Sequence, residues 1–262
     1  MIKTNIKFNL ESKRQLLLIS IALSLFVALF FMVPPIAQDL DYHQFSDQDT
    51  LLSIPHFWNV ISNLPFIFVG FVGLSLLSKG TPAGSLAELR TAYITFFIGL
   101  IITGFGSSYY HWNPNNASLV WDRLPMTISF MAFFTVVLGE NISISFAKRL
   151  FYPLLASGVF TVIYWIMTES SGAGDLRPYV LVQFLPVIMI PLILWLYPSP
   201  FGGQRYIIFV LAAYIVAKLM EHFDHEIHDL LGGVMSGHPI KHVVAAVGTY
   251  FFYLALKKRR LR

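Results

Sequence analysis

Long apolar runs alternate with short polar stretches along the chain. The runs are close to the roughly 20 residues a helix needs to cross a bilayer. They fall at 15–37, 57–78, 91–110, 120–139, 150–168, 179–197, 206–221 and 239–256. The pattern predicts eight transmembrane helices, the seventh the shortest, and an all-α integral membrane fold. The connecting stretches, among them "SKGTPAGS", "HWNPNNAS", "SSGAGDLRP" and "YPSPFGGQ", carry the Gly, Pro, Ser and Asn of turns. The first run follows Lys13 and Arg14 as a signal peptide would, but it is longer than a signal core and no small-x-small cleavage site follows it. It reads as a retained helix. The "KLMEHFDHEIHDLLGG" stretch at 218–233 reads as a polar outer loop capping the bundle.

Composition agrees. The 262 residues are 56% hydrophobic and only 12% charged, against about 25% charged in soluble domains. The net charge of +4 is small, and the basic tail beside an apolar helix reads as an anchor at an anionic leaflet, so nucleic acid is not an expected partner. There are no cysteines, which excludes disulfides and thiolate metal sites; a metal here must use His, Asp or Glu. Of the 18 Lys and Arg residues, all but Arg123, Arg177, Lys218 and Lys241 fall on one side of the predicted topology. The positive-inside rule then puts both termini in the cytoplasm.

That topology gathers ionisable groups at the outer side. His111 closes the third run, Asp122 opens the fourth, and His238 and His242 open the eighth. The spacing His238-x3-His242 puts two imidazoles on one helical face, and Pro239 is tolerated in a first helical turn. His111 supplies a third nitrogen. Three histidines with one open position form a catalytic zinc pattern, in which the metal lowers the pKa of its water to about 7. Asp122 is the candidate to take the proton from that water. Ser107, four residues before His111, is the candidate to hydrogen-bond the water or a developing oxyanion. Glu221 and Asp224 are candidates to orient the histidines. Trp58, Trp112, Trp121 and Trp165 read as an interfacial belt. Asp175 and Arg177 read as a local ion pair in a turn.

The run "GxGSxxxH" (Gly104, Gly106, Ser107, His111), then "DxLPM" (Asp122, Leu124, Pro125, Met126), then "HxxxH" (His238, His242) resembles the alkaline ceramidase family. That family belongs to a group of seven-helix metal-dependent membrane hydrolases that includes the adiponectin-receptor relatives. "FWNVISNLPF" at 57–66 is similar to the "WN-x-x-SNL" element that opens the family's first core helix. The likeness implies a seven-helix catalytic domain over 41–256, preceded by an extra N-terminal helix within 1–40 and followed by a basic cytoplasmic tail at 257–262. It implies zinc held by His111, His238 and His242, Asp122 as the water-activating acid, and Ser107 beside the metal. The implied reaction is hydrolysis of a ceramide-like lipid amide to a fatty acid and a sphingoid-type amine.

Eukaryotic members of that family also hold calcium in the loop before the first core helix. Asp39, Asp41, Asp47 and Asp49 occupy that loop here, but His56 stands where the pattern is acidic. A solvated acidic loop is the expectation, with calcium as the alternative. A lipid-sensing, receptor-like protein on the same zinc scaffold is the alternative function. A transporter would show repeats and mid-membrane charges, which this chain lacks. The absence of cysteine and the short chain point to a bacterial inner membrane.

Overall fold

A computed structural model describes residues 2–262, with side chains from residue 11 onward. Lys3 and Lys7, which enter the charge bias, therefore lie outside the described side chains. Ten α-helices follow one another: α1 (Ile2–Met32), α2 (Phe57–Ile61), α3 (Leu64–Ser78), α4 (Arg90–Trp112), α5 (Asn116–Asn141), α6 (Ile144–Ser170), α7 (Arg177–Leu196), α8 (Arg205–His222), α9 (Asp224–Leu230) and α10 (Gly237–Lys258). Seven spans are long and apolar enough to cross a membrane, or eight when α8 and α9 count as one bent span. The fold is the expected all-α membrane bundle.

Three elements depart from the sequence reading. The first helix ends at Met32, not at 37, because Pro34 and Pro35 remove donors and hold the backbone extended. The second run is interrupted after Ile61 and resumes at Leu64, with Pro65 seated in the first turn of the new helix, where its missing N–H costs nothing. The stretch expected as an outer loop at 218–233 is largely helical. α8 runs to His222, and α9 leaves it at an angle of 77°.

The core is built around α4 and α5, which pack against each other, with α3, α6 and α10 around them. Phe96, Phe97, Phe133 and Phe252 meet edge-on, tilted or stacked at its centre. Trp165, expected in the interfacial belt, is instead fully buried. By contrast α1 leans mainly on α7, and most of its surface faces outward. Its C-terminal carbonyls are capped by Arg177, whose Nη1 donates to Phe30 O (3.2 Å) and Val33 O (2.9 Å). Arg177 also pairs with Asp175 at 2.9 Å, as expected. The arginine thus answers orphan carbonyls that a helix end always leaves.

At the opposite end of the bundle a buried ion pair joins α5 to the residue that follows α10. Arg259 donates from Nη1 and Nη2 to the two carboxylate oxygens of Glu140, both at 2.8 Å. Tyr93 donates to the same carboxylate at 2.8 Å, and Arg259 Nη2 also reaches Gly84 O. The guanidinium lies over the Phe201 ring. Both charged side chains are almost entirely excluded from solvent.

Two predictions follow from these contacts. Arg259→Met leaves Glu140 buried without its partner, so it is expected to destabilise the fold by about 3–5 kcal/mol. Adding Glu140→Leu should recover most of that loss, as read by thermal unfolding in detergent. The Arg177 hydrogen bonds hold the Asp175 carboxyl below its usual range. A lowered native pKa stabilises the folded state fully above the unfolded value of about 4 and loses that effect as pH falls through the native value. The melting-temperature gap between wild type and Arg177→Gln should therefore be full at neutral pH and narrow in acid.

Candidate active site

The site forms where the C-terminal end of α4 meets the N-terminal ends of α5 and α10. Two glycines set how closely α4 approaches α5 and α10 approaches α8. A Cβ on Gly106 would collide with the Trp121 carbonyl oxygen on α5. That carbonyl has lost its helical partner, because the N–H four residues on would belong to Pro125. A bare Cα–H of Gly106 therefore faces an unspent acceptor. The contact draws the two backbones together, and their next residues, Ser107 and Asp122, face the same cavity. Gly237 plays the matching part at the start of α10, where a Cβ would strike the Met220 carbonyl oxygen of α8.

His111, His238 and His242 converge from α4 and α10. Their ring centroids form a nearly equilateral triangle, with sides of 4.9, 5.0 and 5.0 Å. One nitrogen from each lies within 4.8 Å of the others, an arrangement that could hold a metal ion. All three rings are buried, His111 completely. Both nitrogens of His111 and Nε2 of His238 have no hydrogen-bond partner. Buried imidazole nitrogens without partners are costly, and a cation shared by three lone pairs is the group whose chemistry fits them. This is the one such cluster among the described residues. His222, His225 and His228 do not join into another.

A second layer of contacts fixes the triad. The Ser62 hydroxyl donates to Asn59 O (3.3 Å) and lies 2.8 Å from His242 Nδ1. With that proton spent on the carbonyl, Nδ1 of His242 is the donor and Nε2 keeps its lone pair. Asp224, at the start of α9, accepts from the His238 backbone N–H (2.6 Å) and from the Ser46 N–H (3.1 Å). It caps α10 in place of Ser236, whose side chain makes no cap. Phe45 then closes the outer face, its ring edge-on to His111 at 4.6 Å and to His238 at 4.5 Å.

These partners correct the sequence reading in part. Asp224 holds the backbone of His238 and not its ring. Glu221 makes no hydrogen bond to a histidine among the described residues. It pairs with Lys218 and Lys241 and accepts from the Tyr42 hydroxyl at 3.3 Å. Burial, and then the Glu221 carboxylate, push the Tyr42 hydroxyl well above its usual range, so it stays protonated and donates. Ser62, Phe45 and Arg123 were not singled out from the sequence as site residues. For Ser62 the signal was present in the "WN-x-x-SNL" element: Asn59, Ser62 and Asn63 all serve the same turn, with Asn63 Nδ2 also donating to Asn59 O. Asp47 of the acidic loop is spent on backbone, accepting from the N–H groups of Asp49 and Asn59.

Below the triad a cavity of about 300 Å³ extends into the bundle between α4, α5, α7, α8 and α10. Its head carries Ser107, Asp122, Arg123, Lys218, Glu221, Lys241 and His242. Its depth is lined mostly by apolar side chains, including Phe96, Leu100, Phe133, Val187, Ile190 and Leu211. The shape is that of a polar head joined to an apolar shaft.

A family model described as Ceramidase matches residues 50–199, more than half of the chain. The chain belongs to the ceramidase family. The matched stretch contains Ser62, Ser107, His111 and Asp122, and the fold brings His238 and His242 to it from beyond the match. Membership brings with it amide hydrolysis of a membrane lipid as the family's activity, and it accords with an integral membrane bundle. No curated protein matches the chain.

Gly106→Ala is the sharpest probe of this geometry. A methyl group directed at the Trp121 carbonyl must push α4 from α5, at an expected cost of about 1–3 kcal/mol. Activity should fall more than stability does, because Ser107 and Asp122 separate. Unfolding and turnover measured on the same preparation give the comparison.

Proposed function

We propose that this member of the ceramidase family is a zinc-dependent intramembrane hydrolase. It cleaves the amide bond of ceramide or a ceramide-like lipid, releasing a fatty acid and a sphingoid-type amine. The observation that carries the reading is the buried three-histidine cluster at the polar head of an apolar cavity. His111, His238 and His242 are the zinc ligands. Asp122 is the general base, and Ser107 is the hydrogen-bond donor beside it.

The apolar shaft takes the lipid chain, and the amide lies at the head. Bound there, zinc would supply Lewis-acid polarisation and a water of pKa near 7. Asp122 removes a proton from the attacking water. The water oxygen bonds to the acyl carbon, and the carbonyl oxygen takes up negative charge that the Ser107 hydroxyl stabilises. As the C–N bond breaks, Asp122 returns its proton to the leaving nitrogen. The oxygen added from water stays in the carboxylate, and the amine leaves with the proton it needs. Ser62 is a positioning residue, holding His242 in the tautomer with a free Nε2. Phe45 and the Tyr42–Glu221 contact keep bulk water from the head.

The charge bias supports cytoplasmic termini and a site that opens toward the outer leaflet of a bacterial inner membrane. On that reading the buried Arg259–Glu140 pair marks the cytoplasmic end.

The decisive experiment measures bound metal and fluorescent-ceramide hydrolysis on one detergent-purified sample. Wild type should carry about one zinc per chain, and His238→Ala should lose both metal and turnover. Asp122→Asn should keep metal and fold while kcat drops by roughly 10²–10⁴. Ser62→Ala should weaken zinc affinity by roughly 10- to 100-fold with activity restored at high zinc. A wild-type protein that never met a chelator and contains no zinc would sink the mechanism.

A further inference from the structure

Arg123 is a cation at the head of the cavity that the reaction above does not use and, unlike Lys218 and Lys241, it pairs with no carboxylate among the described residues. It lies on α5 directly after Asp122 and is buried, with only 6% of its surface exposed. Its guanidinium carbon sits 4.4 Å from the ring centre of Trp165, 4.9 Å from that of Tyr179 and 5.6 Å from that of Tyr42. Nη2 donates to Gln38 Oε1 at 2.7 Å. Nη1 has no partner at all. Among the described residues no carboxylate lies within ion-pair distance of it, since Glu221 is held by Lys218 and Lys241.

The aromatic cage does not remove the need for an acceptor. Ring faces attract the charge of the guanidinium, but its N–H bonds lie in its own plane and still require oxygen atoms. A buried charged donor left unpaired is among the more expensive features a fold can hold, more so in a membrane. The cage also fixes the side chain, so little conformational entropy remains to be lost on binding. The surrounding charge has the same sign: Arg123, Lys218 and Lys241 line the cavity against Asp122 and Glu221. A rigid arginine facing a cavity with a net positive head is built for an oxyanion, whose geometry matches the guanidinium edge.

We propose that Arg123 is the oxyanion-binding residue of this cavity, donating from Nη1 to a carboxylate or phosphate oxygen of the bound lipid. The oxyanion has two chemical sources: the carboxylate of the fatty acid released by hydrolysis, or an anionic headgroup carried by the substrate itself. The choice of ligands rests on the lipid-amidase reading. The test reads binding and not turnover, so a protein that held no zinc and cleaved nothing would still answer it.

Displacement of a fluorescent fatty alcohol from the detergent-purified protein supplies the assay. Two ligand pairs are compared, each differing by an oxyanion: a fatty acid against the alcohol of equal chain length, and the phosphate monoester of ceramide against ceramide. Wild type should prefer the anionic member of at least one pair by roughly 10- to 100-fold, the range of a charge-assisted hydrogen bond. Arg123→Gln should lose that preference while binding the uncharged member as before. Loss in the fatty-acid pair assigns the released acid as the source, and loss confined to the phosphate pair assigns the headgroup. Gln38→Ala, which removes only the partner of Nη2, should keep the preference. If Arg123→Gln no longer binds the alcohol, Arg123→Lys decides, with an expected several-fold fall in preference and alcohol binding intact. No anion preference in wild type, or a preference unchanged in the deciding variant, overturns the proposal.

Discussion

The candidate active-site end of this bundle depends on one backbone contact, where the Cα–H of Gly106 on α4 meets the carbonyl of Trp121 on α5. Two residue choices act on it. Pro125 frees the carbonyl by withholding a donor, Gly106 supplies a helix surface with nothing to obstruct the approach, and the one-residue offset of both chains then presents Ser107 and Asp122 to the same space. Exchanging either special residue for alanine would restore ordinary helix geometry on its own strand of the contact and separate the two functional neighbours. A proline and a glycine that each weaken a helix in isolation are here complementary.

The histidine cluster is held by a different economy. Its rings are rigidly packed, yet several of their nitrogens have no protein partner. Inside a bilayer, where water cannot substitute, such groups are normally answered within the fold. Around them the orienting contacts are in place: Ser62 serves His242, Asp224 caps the helix that carries His238, and Phe45 covers two of the rings. The fold therefore spends its hydrogen bonds on orienting the cluster and leaves the cluster's lone pairs unused. Preorganisation of this kind keeps ligand geometry independent of what arrives.

Much of this was legible in the sequence, for identifiable reasons. Apolar runs of bilayer length report spans directly, and the His-x3-His spacing reports a shared helical face. The short motifs report sites because each residue in them has a distinct physical duty: Gly104 and Gly106 close approach, Pro125 a freed carbonyl, Ser62 a tautomer. What escaped were contacts between distant segments. Nothing local in "HFDHEIHD" announces a bend of 77° before Asp224, or that Asp224 will accept from the His238 N–H fourteen residues later. Likewise Trp165 has the placement of an interfacial residue but is claimed by the cage around Arg123 on another helix. Periodicity carries no information about such pairings, and the α8–α9 stretch departs from the expected loop where Glu221 and Asp224 find partners on other segments.

The two long-range closures of the fold also bear on how it is made. Glu140 is paired with a residue 119 positions further on, and His111 waits for His238 and His242. A chain inserted into the membrane from its N-terminus as it is synthesised holds a buried carboxylate and one of the three clustered histidines without partners until α10 has entered. Insertion of that last helix supplies both ends at once, the arginine at one face and the two imidazoles at the other. A metal that needs all three histidines therefore has no complete site until the last helix is in place.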